Sequence, residues 1–293
     1  MAVDLQLKAY AELVNSRLEE LLTSQTPGPP ELREAMLYSA LGPGKRLRPA
    51  LAMAACQAVG GGVEQALDVA CAIECVHCFS LIHDDLPAID NDLLRRGRPT
   101  CHVKFGEAIA ILAGDALFAG AFAMISDCAA ISQAQRLACV AALARASGTC
   151  GLVSGECSDI LAEGKELDLE ALESIHRRKT GALFAASCEI GAIAGDGSAI
   201  ECAALGQYGE SLGLAFQIAD DILNVVSTPE KLGKATGSDE HRKKATYPAI
   251  IGLEASAERG RALVASAREQ LQQISGDVSF LSELAGFAVN RQN

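Results

Sequence analysis

Residues 80–98 read SLIHDDLPAIDNDLLRRGR, apolar, then acidic, then basic. Asp84, Asp85, Asp90 and Asp92 crowd four carboxylates into nine residues with no cation among them, and Arg95, Arg96 and Arg98 follow at once. Carboxylates in a desolvated cluster repel one another and must bind protons or cations. Hard divalent ions such as Mg²⁺ take oxygen ligands, keep several waters and bridge carboxylates to substrate phosphates. Guanidinium groups match phosphate oxygens with paired hydrogen bonds. Acid beside base therefore points to a metal-and-phosphate site rather than to a solvated loop of mixed charge. A second acidic cluster downstream favours the first reading. Residues 216–224, FQIADDILN, set Asp220 and Asp221 side by side inside an apolar helical stretch. Asp220 and Asn224 are four apart and share a helix face, and two adjacent aspartates there are costly unless something pairs with them.

Three further polar stretches are rich in cations. Residues 42–49, GPGKRLRP, open on glycine and carry Lys45, Arg46 and Arg48 into an apolar helix. Backbone freedom and cations at a helix start suit an anion, and equally an exposed, capped turn. Arg177, Arg178, Lys179, Thr180 and Gly181 interrupt another helical pattern with three cations, either a solvated patch or part of a site. Residues 228–244 are polar and loop-like, with Lys231, Lys234, Arg242, Lys243 and Lys244 opposite in sign to the acidic cluster before them.

The elements that position these residues read as helices. Apolar spacing predicts helices over 5–22, 31–40, 50–59, 63–86, 107–126, 132–147, 152–163, 168–193, 198–226, 256–275 and 279–289. Residues 63–86 are apolar almost all round, so this helix is central and buried. Glu74, His77 and Asp84 fall close to one face of it, since seven residues turn a helix by about 700°; His77 is then either a hydrogen-bonded core residue or a group facing Asp84's cavity. Pro87 disfavours helical geometry at Leu86 and ends the helix there, leaving Asp90 and Asp92 on a loop that can fold back. No stretch alternates long enough to need a strand. No composition break or solenoid repeat divides the chain, so the expectation is an all-α fold in a single domain, 1–293, with the two aspartate clusters as a loose internal echo.

The bulk composition narrows the function classes. Of 293 residues, 49% are hydrophobic but only 4% aromatic, with no Trp, so alanine and leucine must fill closely packed helices. A net charge of −12 argues against general nucleic-acid binding or an anionic membrane surface. Eleven cysteines without a secretory signal favour a reducing, cytoplasmic location. Cys75 and Cys78 form a CxxC with no second pair and read as small buried residues rather than a zinc site. No apolar run appears free enough of polar interruption to be a membrane span.

With both clusters in place, the chain resembles the short-chain trans-isoprenyl (polyprenyl) diphosphate synthases, especially the bacterial farnesyl diphosphate synthases. The likeness is carried by residues 44–49, 80–100, 216–224 and 246–254 (TYPAIIGLE) and runs from Gly44 to Arg291. The resemblance implies a helical bundle around a central cavity, usually a homodimer, with three Mg²⁺ ions per active site for which Mn²⁺ can substitute. It implies that Asp84, Asp85 and Asp90 hold metal from one side and Asp220, with Asp221 and Asn224, from the other. Arg95, Lys179, Gln217 and Lys234 match positions that hold the allylic diphosphate, and Thr180 one beside the reacting carbons. Lys45, Arg48, His77 and Arg96 match the isopentenyl diphosphate site, with Gly44 and Lys244 also among the substrate-binding positions. Asn224 stands where a third aspartate is common, Leu93 where a further acid often follows the first motif, and Glu156 where glutamine is frequent.

The reaction so implied is head-to-tail condensation. An allylic diphosphate, dimethylallyl or geranyl, ionises, isopentenyl diphosphate attacks the cation through its double bond, and a proton leaves to the departing diphosphate. Cations and metal stabilise that leaving group, and apolar helix walls exclude water. Phe79 matches a position whose aromatic floors a fifteen-carbon pocket, which implies farnesyl diphosphate, with geranyl or geranylgeranyl diphosphate as alternatives. Phe79 lies about 7.5 Å back along the helix from Asp84 but is turned from it by about 140°. Either its ring reaches the cavity sideways or Ser80, nearly in line with Asp84, opens part of the floor. A terpene cyclase would need a hydroxyl four residues after Asp221, where Val225 stands, and an inactive regulatory subunit would be expected to lose an aspartate pair, whereas both are intact.

Overall fold

The computed structural model describes residues 2–24, 28–226 and 245–289. Within them the chain is a helical bundle. Helices α1 (Ala2–Ser24), α2 (Pro30–Ala40) and α3 (Leu47–Ala58) lead into α4 (Val63–Asp84). A two-stranded hairpin, β1 (Leu94–Arg95) and β2 (Arg98–Pro99), precedes α5 (Cys101–Phe105), α6 (Glu107–Asp127), α7 (Gln133–Ser147) and α8 (Leu152–Ala162). Then come α9 (Leu169–His176), a π-helical turn (Arg177–Gly181), α10 (Ala182–Ala194) and α11 (Ala199–Val226). Beyond residues 227–244 lie α12 (Tyr247–Ile251), α13 (Leu253–Gln270), a 3₁₀ turn (Leu271–Gln273) and α14 (Ser279–Val289).

Helix boundaries follow local chemistry. Ser132 and Gln135 form a capping box at α7: Gln135 N donates to Ser132 Oγ (3.3 Å) and Ser132 N to Gln135 Oε1 (2.9 Å). Asp168 caps α9 by accepting from Ala171 N at 2.8 Å. Most boundaries fall within three residues of those the sequence predicts. The exceptions have physical causes. Helix α13 ends at Gln270 rather than at residue 275, because the chain tightens into a 3₁₀ turn over Leu271–Gln273 closed by Ile274 N donating to the Leu271 carbonyl at 3.2 Å. Helix α4 ends at Asp84, two residues before Leu86, where the segment turns tightly enough for Asp90 N to donate to the Asp84 carbonyl at 2.8 Å. The stretch before α6 is structured too: Leu94 pairs with Pro99 and Arg95 with Arg98 across a turn in which Arg96 has φ 51°.

Helix α4 is the axis. It packs on α1, α2, α3, α6, α7 and α10, while α10 joins it to α3, α7 and α11. Small side chains make these approaches possible: Ala50, Ala52, Ala55, Ala66, Ala70, Ala72, Ala110, Ala113, Ala186 and Ala192 are all buried. Three segments, Val63–Asp84, Glu107–Asp127 and Gln133–Ala162, are nevertheless long and apolar enough to cross a membrane by length and composition alone. This corrects the expectation from the sequence: so few charges interrupt them that apolarity does not separate them from membrane spans. In this structure α4 is apolar because it is enclosed by other helices. The CxxC cysteines Cys75 and Cys78 are buried free thiols on α4.

Candidate active site

Two cavities hold most of the site residues anticipated from the sequence. The larger, about 640 Å³, is lined by Gly44, Lys45, Arg48, His77, Arg96, Thr180, Gln217 and Asp220, with Glu74 and Phe216. The second, about 300 Å³ and mostly apolar, is lined by Phe79, Ser80, His83, Asp84 and Ile89 against Leu152, Val153, Glu156, Cys157, Ile160 and Leu161 of α8. His77 and Asp84, expected on one face of α4, therefore line different cavities. Phe79 and Ser80 both reach the apolar one, Phe79 sideways. Lys234 and Lys244 lie outside the described residues.

The basic turn before α3 divides its cations by role. Arg46 takes a left-handed conformation, φ 49°, and turns inward. It donates to Asn15 Oδ1 (2.8 Å), Glu74 Oε1 (3.0 Å) and the carbonyls of Ala40 and Gly42 (2.8 Å each), a buried, well-paired arginine that fixes the turn. Lys45 and Arg48 are left on the cavity side. Arg48 stacks 4.6 Å above the Phe184 ring and lies 3.5 Å from His77 Nε2, and its Nε is buried without a hydrogen-bond partner among the described residues. Desolvation, with the charge of Arg96, lowers the Arg48 pKa to about 10 although Glu74 and Asp220 oppose this. Desolvation and the surrounding arginines hold His77 well below its usual value, so its imidazole is neutral at pH 7. A concentration of cations that oppose one another's charge is a site prepared for an anion.

The first acidic motif splits. Asp85 is buried and bound by Arg95: Nη2 to Oδ1 at 2.5 Å, and Nε to both oxygens at 2.9 Å. Arg95 also lies 3.9 Å from Asp92. Asp84 faces α8 instead. Desolvation raises its pKa, Glu156 raises it further, and Lys179 pulls the other way. Lys179 Nζ bridges Glu156 Oε2 (2.7 Å) and Asp159 Oδ2 (2.6 Å). Desolvation works against its ammonium charge, but Asp159 and Glu156 more than offset this and raise its pKa.

The π-turn makes that arrangement possible. One extra residue in the turn at Arg177–Gly181 re-aims successive side chains, a device frequent at functional sites. Lys179 points to α8, while Thr180 Oγ1 donates to Gln217 Oε1 at 3.1 Å on the large cavity. Helix α8 can approach only because residue 155 is glycine; a Cβ there would lie 2.5 Å from Lys179 Cα.

The second acidic motif also splits. Asp221 is buried, accepting from Gln217 Nε2 and from the Tyr247 backbone N, each at 3.0 Å, which ties α11 to the start of α12. Asp220 lines the large cavity, and Asn224 is exposed one turn further on.

Among the described residues, no three His, Cys, Asp or Glu side chains already stand together as a metal cluster. The chemistry of the donors still fits Mg²⁺. Asp84 is destabilised as an anion by desolvation and by a neighbouring carboxylate, and Glu156 Oε1 is buried without a hydrogen-bond partner among the described residues. Mg²⁺ typically takes one or two protein carboxylates and completes its shell with water and substrate phosphate.

The sequence reading missed the α8 wall. Val153, Glu156, Cys157 and Ile160 recur at helical spacing, a legible signal for one face, but nothing local says that this face meets Asp84. It also missed the packing of His83 on Gly114.

Comparison with known proteins decides the family. The polyprenyl synthetase family model matches residues 29–281. The chain belongs to the polyprenyl synthetase family. It is 46% identical to the farnesyl diphosphate synthase of Escherichia coli (strain K12) over 98% of both chains. It is also 46% identical to the large subunit 1 of a heterodimeric chloroplastic geranylgeranyl pyrophosphate synthase of Arabidopsis thaliana, over 97% of this chain and 78% of that protein. The crystal structure of an FPP/GFPP synthase from Zymomonas mobilis superposes with a TM-score of 0.85 at 39% identity, covering 98% of this chain and 99% of that one. This member is a short-chain trans-isoprenyl diphosphate synthase related to the bacterial farnesyl enzymes, a head-to-tail prenyltransferase acting on small isoprenoid diphosphates. Its family uses Mg²⁺ in catalysis.

Proposed function

We propose that this enzyme is a farnesyl diphosphate synthase, a single prenyltransferase domain over residues 1–293. It condenses dimethylallyl and then geranyl diphosphate with isopentenyl diphosphate, releasing the fifteen-carbon product and diphosphate. The observation that carries this reading is the apolar pocket that begins at Asp84 and meets Phe79, whose ring stacks on Phe118 at 4.8 Å.

Arg95, Lys179, Gln217 and Lys234 hold the allylic diphosphate. Lys45, Arg48, His77 and Arg96 hold isopentenyl diphosphate, with Gly44 and Lys244. Thr180 lies beside the reacting carbons. Asp84, Asp85 and Asp90 on one side, and Asp220, Asp221 and Asn224 on the other, would hold Mg²⁺, three ions per site, with Mn²⁺ as a substitute. When bound, the metal supplies positive charge where the leaving diphosphate develops negative charge. The arginines and lysines add charge at the same place. The neutral imidazole of His77 lets Arg48 and Arg96 carry the charge on their side. The α4 and α8 walls keep water from the allylic cation while the new bond forms.

Exposed Ile111, Leu112 and Leu137 on α6 and α7 support association of two copies of the chain. The free cysteines suit a reducing compartment such as the cytoplasm.

Incubation with Mg²⁺, dimethylallyl diphosphate and isopentenyl diphosphate, followed by chromatography of dephosphorylated products, tests the proposal. Farnesol as the main alcohol is expected. Geranylgeraniol would make the enzyme a twenty-carbon synthase, the reading favoured by the plant relative, and geraniol a ten-carbon one. A cyclic hydrocarbon or no product would overturn the prenyl elongation itself.

A further inference from the structure

We infer that His83 is a positioning residue for product length: seated in a groove that Gly114 leaves open, its ring braces Phe79 at the floor of the elongation pocket. The inference deepens the farnesyl reading and rests on the assignment of that pocket to the growing chain.

His83 stands one residue before Asp84 on α4, and its ring lies against α6. Nε2 is 3.1 Å from the Ile111 carbonyl oxygen. A carbonyl only accepts, so Nε2 carries a proton and the ring has a defined orientation. The same ring meets Phe79 edge to face, with centroids 4.9 Å apart and planes at 74°, and Phe79 lies in turn on Phe118. Both His83 and Phe79 line the apolar pocket. Phe79 alone could rotate about its side-chain torsions; in contact with both His83 and Phe118, its ring has two partners that restrict it.

Gly114 makes the seat. A Cβ at residue 114 would lie 2.6 Å from His83 Cδ2 and closer still to Nε2. Any other residue there displaces the imidazole, which is the free end of a side chain, so the helix itself need not move. The seat can therefore be emptied by a substitution on α6 that leaves the α4 sequence and the aspartates unchanged.

The test is product distribution with geranyl diphosphate and isopentenyl diphosphate. His83→Ala should raise the ratio of twenty- to fifteen-carbon product about tenfold, the scale on which pocket changes of this size discriminate between substrates. Gly114→Ala should move the ratio in the same direction, because it removes the same brace. Adding His83→Ala to Phe79→Ala should change nothing further, since the histidine acts through the phenylalanine. Circular dichroism and turnover of the first condensation confirm that each variant is folded. A folded, active Gly114→Ala enzyme with the wild-type ratio would overturn the inference, as would additive effects in the double variant. If wild-type enzyme itself releases a twenty-carbon product, the farnesyl reading fails while this inference is still read, as a shift from twenty to twenty-five carbons.

Discussion

The two aspartate pairs look alike in sequence and divide alike in space, yet among the described residues their buried members meet different partners. In each pair one carboxylate lines one of the two larger cavities, Asp84 or Asp220, and the other is buried with 3% of its surface exposed, Asp85 or Asp221, although Asp85 also borders a small cavity of about 70 Å³ with Arg95 and Arg96. Adjacent helical residues point about 100° apart, so one of two neighbours must turn inward when the other faces a cavity. Asp85 is bound by Arg95, a cation that also belongs to the proposed diphosphate site. Among the described residues, Asp221 accepts from two neutral donors, the Gln217 amide and the Tyr247 backbone. The first pair thus shares its counter-charge with the substrate, whereas the second anchors one helix to another. The lesson is that a doubled aspartate need not mean two equivalent ligands.

Four experiments break or sharpen that comparison. The largest effect is expected from the cavity-facing members: Asp84→Ala or Asp220→Ala should each lower kcat by about 10²-fold or more, roughly 2.7 kcal/mol of transition-state stabilisation. Near-normal turnover in steady-state assays of either variant would remove it from the proposed machinery. Next come the inward members. Asp221→Ala leaves a buried backbone N–H and an amide without their acceptor and should cost about 2 kcal/mol in denaturant unfolding. Asp85→Ala should also destabilise, but in addition it releases Arg95 and should alter KM for the allylic substrate more than Asp221→Ala does. Equal KM changes in the two variants would erase the distinction drawn between the pairs.

A smaller effect is expected at the partner wall. Glu156→Gln keeps the shape but removes one of the two carboxylates that hold Lys179. A partly buried ion pair is worth about 1 kcal/mol, so freeing the lysine should lower KM for the allylic diphosphate by roughly fivefold. An increased KM would mean that Glu156 presents Lys179 to the substrate rather than competing for it. The smallest effect belongs to Asn224, exposed at the outer edge of the second motif. Asn224→Asp should modestly lower the Mg²⁺ concentration for half activity, since a carboxylate is the better ligand. Asn224→Ala should be milder than Asp220→Ala, and equal damage would promote Asn224 to a primary role.

Much of this was legible in the residues themselves. Apolar periodicity, with proline and glycine as punctuation, placed the helices, because a helix boundary depends on a few neighbouring residues. The charge pattern located the two acidic motifs and the basic turn, since unpaired charge in an apolar helix demands a partner wherever that partner lies. What needed the tertiary structure depends on contacts between residues far apart in sequence. The inward turn of Arg46 is fixed by Asn15 and Glu74. The π-turn that sends Lys179 to α8 and Thr180 to the cavity meets α8 at Gly155. Phe79 reaches the pocket although helix geometry turns it from Asp84, and its ring packs there on His83 of α4 and Phe118 of α6. Local spacing fixes the direction in which a side chain leaves its helix, but the element packed opposite decides whether that direction ends in core, in a cation or in a cavity.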